Sequence, residues 1–125
     1  VQAVLPGMLK AGRGDIITLI GDSALTGAAG KVHSSAAKSG LAGMTRALAR
    51  EFAGRGIRAN CVSPGHFDTT RANPRAPRPD ASAHIPLGRY GDPREIAATV
   101  RFLCSPGGGF ITGQVLHVNG GQWMF

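Results

Sequence analysis

Five consecutive residues, Ile16-Ile17-Thr18-Leu19-Ile20, constrain this chain more than any other feature. They are apolar or β-branched throughout, without the alternation of a strand that wets one face. Such a run suits a strand covered on both sides, and that cover is characteristic of parallel sheets flanked by helices. The remaining segments supply the cover. A helix tail over 1–12 precedes the strand predicted over 16–20, and Arg13-Gly14-Asp15 between them reads as a turn, not an adhesion motif. A glycine-rich loop through Gly30 leads to a long helix over 34–54, and a second strand follows over 57–63. A long, lid-like loop over 66–91, rich in proline and arginine, separates that strand from a helix over 93–104 and a third strand over 114–119. With right-handed crossovers this order builds three parallel strands with helices on both faces, as one unit over 1–125.

Local signals sharpen two of these elements. Asp92-Pro93-Arg94-Glu95 has an N-cap, a proline suited to the first helical position and the reciprocal glutamate of a capping box. The long helix shows a core stripe of Ala37, Leu41, Met44, Leu48 and Phe52 beside a stripe of small residues, Ala36, Gly40, Gly43 and Ala47. Glycine within a helix costs about 1 kcal/mol against alanine, so the small stripe predicts close approach of another helix, between subunits. The strand at 16–20 would form a bare apolar edge, so the sheet reads as half of a larger one, completed by another segment or partner. The start at Val1, inside a helical pattern, fits a fragment or a processed chain.

Composition removes several function classes. The 14 cations against 7 anions give a net charge of +7, with Arg71, Arg75 and Arg78 in the proline-rich loop. That loop has no aromatic residue to stack on bases, which argues against nucleic acid and for a solvated loop or a guide for an acidic substrate. No apolar run reaches the roughly 20 residues of a membrane span. Cys61 and Cys104 lack metal-ligand spacing and read as buried small apolar residues, so a reducing cytoplasm and no metal are expected.

Two short motifs suggest serine hydrolases. Gly21-Asp22-Ser23 follows a strand as in the GDS esterases, but no Asp-x-x-His pair is present to activate Ser23. Ser35-Ala36-Ala37-Lys38 matches S-x-x-K, without the companion S-D-N and K-T-G motifs.

A longer pattern covers almost the whole chain. Val4-Leu5-Pro6-Gly7-Met8, Ser35-Ala36-Ala37-Lys38-Ser39-Gly40-Leu41, Thr45-Arg46-Ala47-Leu48-Ala49-Arg50-Glu51, Asn60-Cys61-Val62-Ser63-Pro64-Gly65 and Ile111-Thr112-Gly113-Gln114-Val115-Leu116-His117-Val118-Asn119-Gly120-Gly121 stand in order. Together they resemble the C-terminal half of a short-chain dehydrogenase/reductase. The resemblance implies an α/β fold, the C-terminal half of a doubly wound Rossmann-type parallel sheet, in an oligomeric NAD(P)-dependent carbonyl reductase or alcohol dehydrogenase. It also implies that the glycine-rich phosphate turn, the residues choosing NAD or NADP, and the catalytic asparagine belong to an N-terminal half that this sequence does not contain. A cofactor would therefore bind only in a completed homo- or hetero-oligomeric assembly.

Carried over residue by residue, the family lysine falls on Lys38, the tyrosine position on Ser34 and the serine position on Gly21. Pro64, Gly65, Phe67 and Thr69 fall on the loop that meets the nicotinamide amide and pyrophosphate, and Lys38 on the ribose contact. A phenol with a pKa near about 10 serves as general acid once an ammonium lowers it; an aliphatic hydroxyl is far weaker, and Ser34 is shorter. The reading is therefore a degenerate, inert centre that supports a catalytic partner. The alternatives are a working reductase that uses Ser23 or His33, and a serine hydrolase built on Ser23 or Ser35. Ser23 shares strand-face parity with Gly21, whereas His33 is turned about 100° from Ser34 and suits a surface position at a helix start.

Overall fold

The computed structural model describes residues 1–69, 80 and 83–124. Arg71, Arg75 and Arg78, with part of the loop read as lid-like, lie outside the described residues. The elements are α1 (Leu5–Ala11), β1 (Gly14–Leu19), α2 (Ser23–Thr26), α3 (Val32–Phe52), β2 (Ile57–Pro64), α4 (Pro93–Leu103) and β3 (Val115–Val118). Short 3-10 turns occupy Ala53–Arg55 and Pro106–Gly108. The three strands form one parallel sheet in the order β1-β2-β3, with Ile16 opposite Ala59, Thr18 opposite Cys61 and Ser63 opposite His117.

The central strand β2 is buried from Ala59 through Ser63, and its alternate residues serve opposite faces. On one face Ile57 and Ala59 join Ile16, Ala49 and Phe52, with Leu5, Met8 and Leu9 of α1 packed alongside. On the same face three hydroxyl or thiol groups link β1, α3 and β2. Thr45 commits its proton to Leu41 O at 2.8 Å, so Thr18 must donate to Thr45 at 2.8 Å. Cys61 is then left to donate to Thr18 at 3.0 Å. The opposite face, packed by α4, holds Val62 and Asn60. The Asn60 amide donates to Ile111 O at 2.9 Å and accepts from Gln114 N at 3.0 Å, pinning the approach to β3 against β2.

Two turns require glycine for space. Gly12 closes α1 in the left-handed conformation, and a Cβ on Gly56 (φ 78°) would collide with the Gly12 carbonyl. Asp15 and Arg58 pair across β1 and β2 at 2.7 Å. At α4 the capping box is formed: Arg94 N donates to the Asp92 carboxylate at 2.8 Å and Asp92 N to the Glu95 carboxylate at 2.7 Å.

Several expectations need correction. The helix predicted from position 34 begins at Val32, and the glycine-rich loop before it contains the one-turn helix α2. The core stripe is rotated: Ala42, Thr45, Ala49 and Phe52 are buried, while Ala37 and Met44 are exposed. The satisfied polar seam through Thr45, which hydrophobicity alone does not reveal, occupies the centre of the helix–sheet contact. Gly40 and Gly43 lie on the exposed side, where an added Cβ would meet nothing within 4 Å. Cys104 is exposed, not buried; it is the C-cap residue, one position past the end of α4. The strand β1 is a sheet edge, and Leu19 at its end is 48% exposed.

Candidate functional site

In parallel sheets of this kind the C-terminal strand ends form a crevice suited to ligands. Lys38, in the second turn of α3, reaches the end of β1 and donates from Nζ to Leu19 O at 3.0 Å. Gly21 follows directly after β1 and the buried Ile20, with no heavy atom near the place of a Cβ. Ser34 is half-buried in the first turn of α3, and Ser23 begins α2. Ser39 Oγ donates to Ala24 O at 2.8 Å and ties α2 to α3. His33 is exposed.

A cavity of about 350 Å³ opens beside β2, lined by Leu19, Pro64, Gly65, His66, Phe67, Thr69, Pro93 and Ile96. It gathers Pro64, Gly65, Phe67 and Thr69, which the sequence singles out, and adds Leu19, Pro93 and Ile96, which it does not. Gly65 must be glycine: a Cβ would strike the Asn119 backbone and side chain. The loop is zipped to the approach to α4, with Gly91 N donating to His66 O at 3.0 Å and Asp68 N to Gly91 O at 2.8 Å. The Phe67 ring lies where a Cβ of Gly91 would stand. A smaller cavity of about 230 Å³ lies on the other side of His66 and Phe67, against His117, Asn119 and Gly120.

Behind Gly21 lies a cluster that sequence reasoning does not assemble. Asp22 is the N-cap residue of α2, yet its side chain makes no capping bond. It turns to β2, where the fully buried Ser63 donates to Oδ1 at 3.1 Å, and to β3, where His117 Nδ1 stands 4.0 Å away. Gln122 Nε2 and His66 Nδ1 are 3.2 Å apart beside them. Burial raises the Asp22 pKa above the ordinary carboxylate value; the Ser63 bond, His117 and His66 oppose the rise without cancelling it. The available signal was a carboxylate just past one strand and a histidine in another, but only the strand order brings them together.

The hydrolase motifs are not completed here. The Ser35 hydroxyl is buried with no hydrogen-bond partner among the described residues. Neither Ser23 nor Ser35 meets a histidine among them. No group of three metal-binding side chains, and no helix long and apolar enough to cross a membrane, occurs among the described residues.

Parallel strands flanked by helices, with a lysine at the end of the edge strand and a glycine-bounded cavity at the end of the central one, form a partial Rossmann-like α/β sheet. The model of a family described as enoyl-(acyl carrier protein) reductase matches residues 1–122, and the chain belongs to this short-chain dehydrogenase/reductase family. It is 46% identical over 125 residues to the 3-oxoacyl-[acyl-carrier-protein] reductase FabG of Vibrio cholerae, with 98% of this chain and 51% of the relative covered. The reductase of the same name from Pseudomonas aeruginosa is 48% identical, with 98% and 51% covered. A crystal structure of a provisionally assigned betaketoacyl-ACP reductase superposes with a TM-score of 0.81 at 38% identity, covering 93% of this chain and 49% of that one. The chain thus spans about half the length of the curated relatives it matches.

Proposed function

We propose that this chain is a part or subunit of an NAD(P)-dependent carbonyl reductase whose own reaction centre is inert, and that it supports a catalytic partner. One observation carries the reading: Lys38 holds its place against the end of β1, while the two positions that would face a carbonyl with it carry Ser34 and Gly21. Ser34 lacks a phenol for the Lys38 ammonium to acidify, and Gly21 has no hydroxyl to hold a substrate oxygen. The relatives' names point to 3-oxoacyl groups on a carrier protein as the substrate class of the whole assembly.

The residues around the cavity fit a nicotinamide. Gly65 lets the Asn119 backbone approach closely, Phe67 and Thr69 line the opening, and Lys38 Nζ is bonded to Leu19, which lines the same cavity. A bound nicotinamide would supply the hydride; Pro64, Gly65, Phe67, Thr69 and Lys38 would bind and orient it. The edge position of β1 and the exposure of Leu19 support completion of the sheet by a further segment or partner chain in the cytoplasm, before phosphate binding is possible. The exposed Gly40–Gly43 side of α3 supports a helix–helix contact in a homo- or hetero-oligomer.

Lys38→Ala tests this reading in the complete assembly. An inert centre predicts turnover within about twofold of the parent, a barrier change of about 0.4 kcal/mol. A loss of a hundredfold or more with the quaternary structure intact would show that this centre does chemistry, with Ser23 and His33 the next residues to replace.

A further inference from the structure

We infer that Asp22 is a positioning residue whose carboxylate clamps the turn bearing Gly21 and Ser23 onto the end of β2, beside His117 of β3. The inference uses the proposed function only in identifying that turn as the one facing Lys38.

An aspartate at an N-cap ordinarily accepts from its own helix, and Asp22 forgoes that bond. It takes one from Ser63 instead, so the first residues of α2 are tied to the central strand. His117 Nδ1 stands 4.0 Å from the same oxygen, Oδ1, on the third strand. Three strand ends that share no sequence proximity therefore converge on one carboxylate. The groups acting on it are Ser63, His117 and His66, and His66 also walls both cavities. Burial raises the cost of the charge, so the contact is unlike a solvated surface pair. Ala24 packs against Ile20, Ala42 and Cys61, but the polar ties of the turn are few. The amides of Ala24, Leu25 and Thr26 bond to Gly21 O and Asp22 O, within the turn itself, and Ser39 ties Ala24 O to α3.

Hydrogen exchange of this chain, resolved by residue and corrected for intrinsic rates, tests the clamp without any cofactor. Failure of the reductase reading would leave the result untouched, and the converse also holds. Asp22→Ala should lower protection at Ala24, Leu25 and Thr26 at least tenfold while the β2 amides of Cys61 and Val62 stay within twofold. Asp22→Asn, which still accepts from Ser63, should rescue protection to within threefold of wild type. The inference is overturned if Asp22→Ala leaves the turn within twofold, if turn and β2 loosen together, or if Asp22→Asn loosens the turn as much as Asp22→Ala. Should Asp22→Ala not fold, Ser63→Ala decides: a tenfold loss confined to the turn supports the clamp, and an unchanged turn refutes it.

Discussion

Asp22 and Glu95 are both carboxylates at the start of a helix, yet their surroundings drive them in opposite directions. Glu95 is exposed, accepts two bonds from Arg89 at 2.9 and 2.8 Å and one from Asp92 N, and its pKa falls to about 2. The Arg89 bond is the largest cause, followed by the backbone bond from Asp92. Asp22 has one donor and two histidines within reach, but burial dominates and its pKa rises. A short motif therefore does not determine the behaviour of its carboxylate; the balance of solvent loss against donors gained does. The strands show the same contrast. Polar groups on β2 are buried and matched, as at Asn60, whereas β1 ends in a half-exposed Leu19.

The largest effect should come from the matched interior. Asn60→Leu would leave Ile111 O and Gln114 N without partners and should cost about 3 kcal/mol, taking about 1–3 kcal/mol for each orphaned group. Urea unfolding would measure it, and a loss below about 1 kcal/mol would mean that the strand-to-loop bonds do not anchor β3.

The two carboxylates should come next, with opposite signs against pH. Asp22 has a folded pKa above its unfolded value of 3.8, so the folded state holds the extra proton and stability falls as pH rises through that window. Asp22→Asn removes this slope, so the melting temperature of the variant relative to wild type should be higher at pH 7 than at pH 3.5. Glu95 has a folded value of about 2 against 4.5, so its contribution is present above 4.5 and is lost as pH falls toward 2. Glu95→Gln should lose stability at pH 6 relative to wild type and converge with it at pH 2. Melting curves for both variants from pH 2 to pH 7 would show the opposing trends; parallel curves would erase the distinction between buried and exposed carboxylates.

The smallest effect belongs to the edge. Leu19→Thr should change the stability of the chain by no more than about 0.5 kcal/mol, as expected for a site so exposed. In a completed assembly the same change should cost more than about 1 kcal/mol, because a covering segment would bury the leucine. Equal small effects in both settings would count against completion of the sheet beside β1.

Much of the architecture was legible in local chemistry. The apolar run at 16–20 marks a covered strand, the Asp92-Pro93-Arg94-Glu95 cap marks the start of α4, and helix–strand alternation implies parallel pairing. Pro64, Gly65, Phe67 and Thr69 lie close together in the chain, and the structure brings them to one cavity. Periodicity failed where a polar residue took a core position: Thr45 is buried because Leu41 O and Thr18, 4 and 27 residues away, satisfy its hydroxyl, with Cys61 in turn bonded to Thr18. The helix α2 was hidden in a loop too short to show a period.

What the sequence by itself determined is the set of elements and the kind of side chain at each position, including the serine at 34 and the glycine at 21. Strand turns, helix caps and backbone freedom act over a few residues, so their physics is written locally. The tertiary structure alone decided that Asp22, Ser63 and His117 share one site and that Lys38 closes on Leu19. These contacts join residues 19 to 95 positions apart. Their energy depends on which strands are neighbours and on how much water the fold removes, and neither quantity is a property of any single segment.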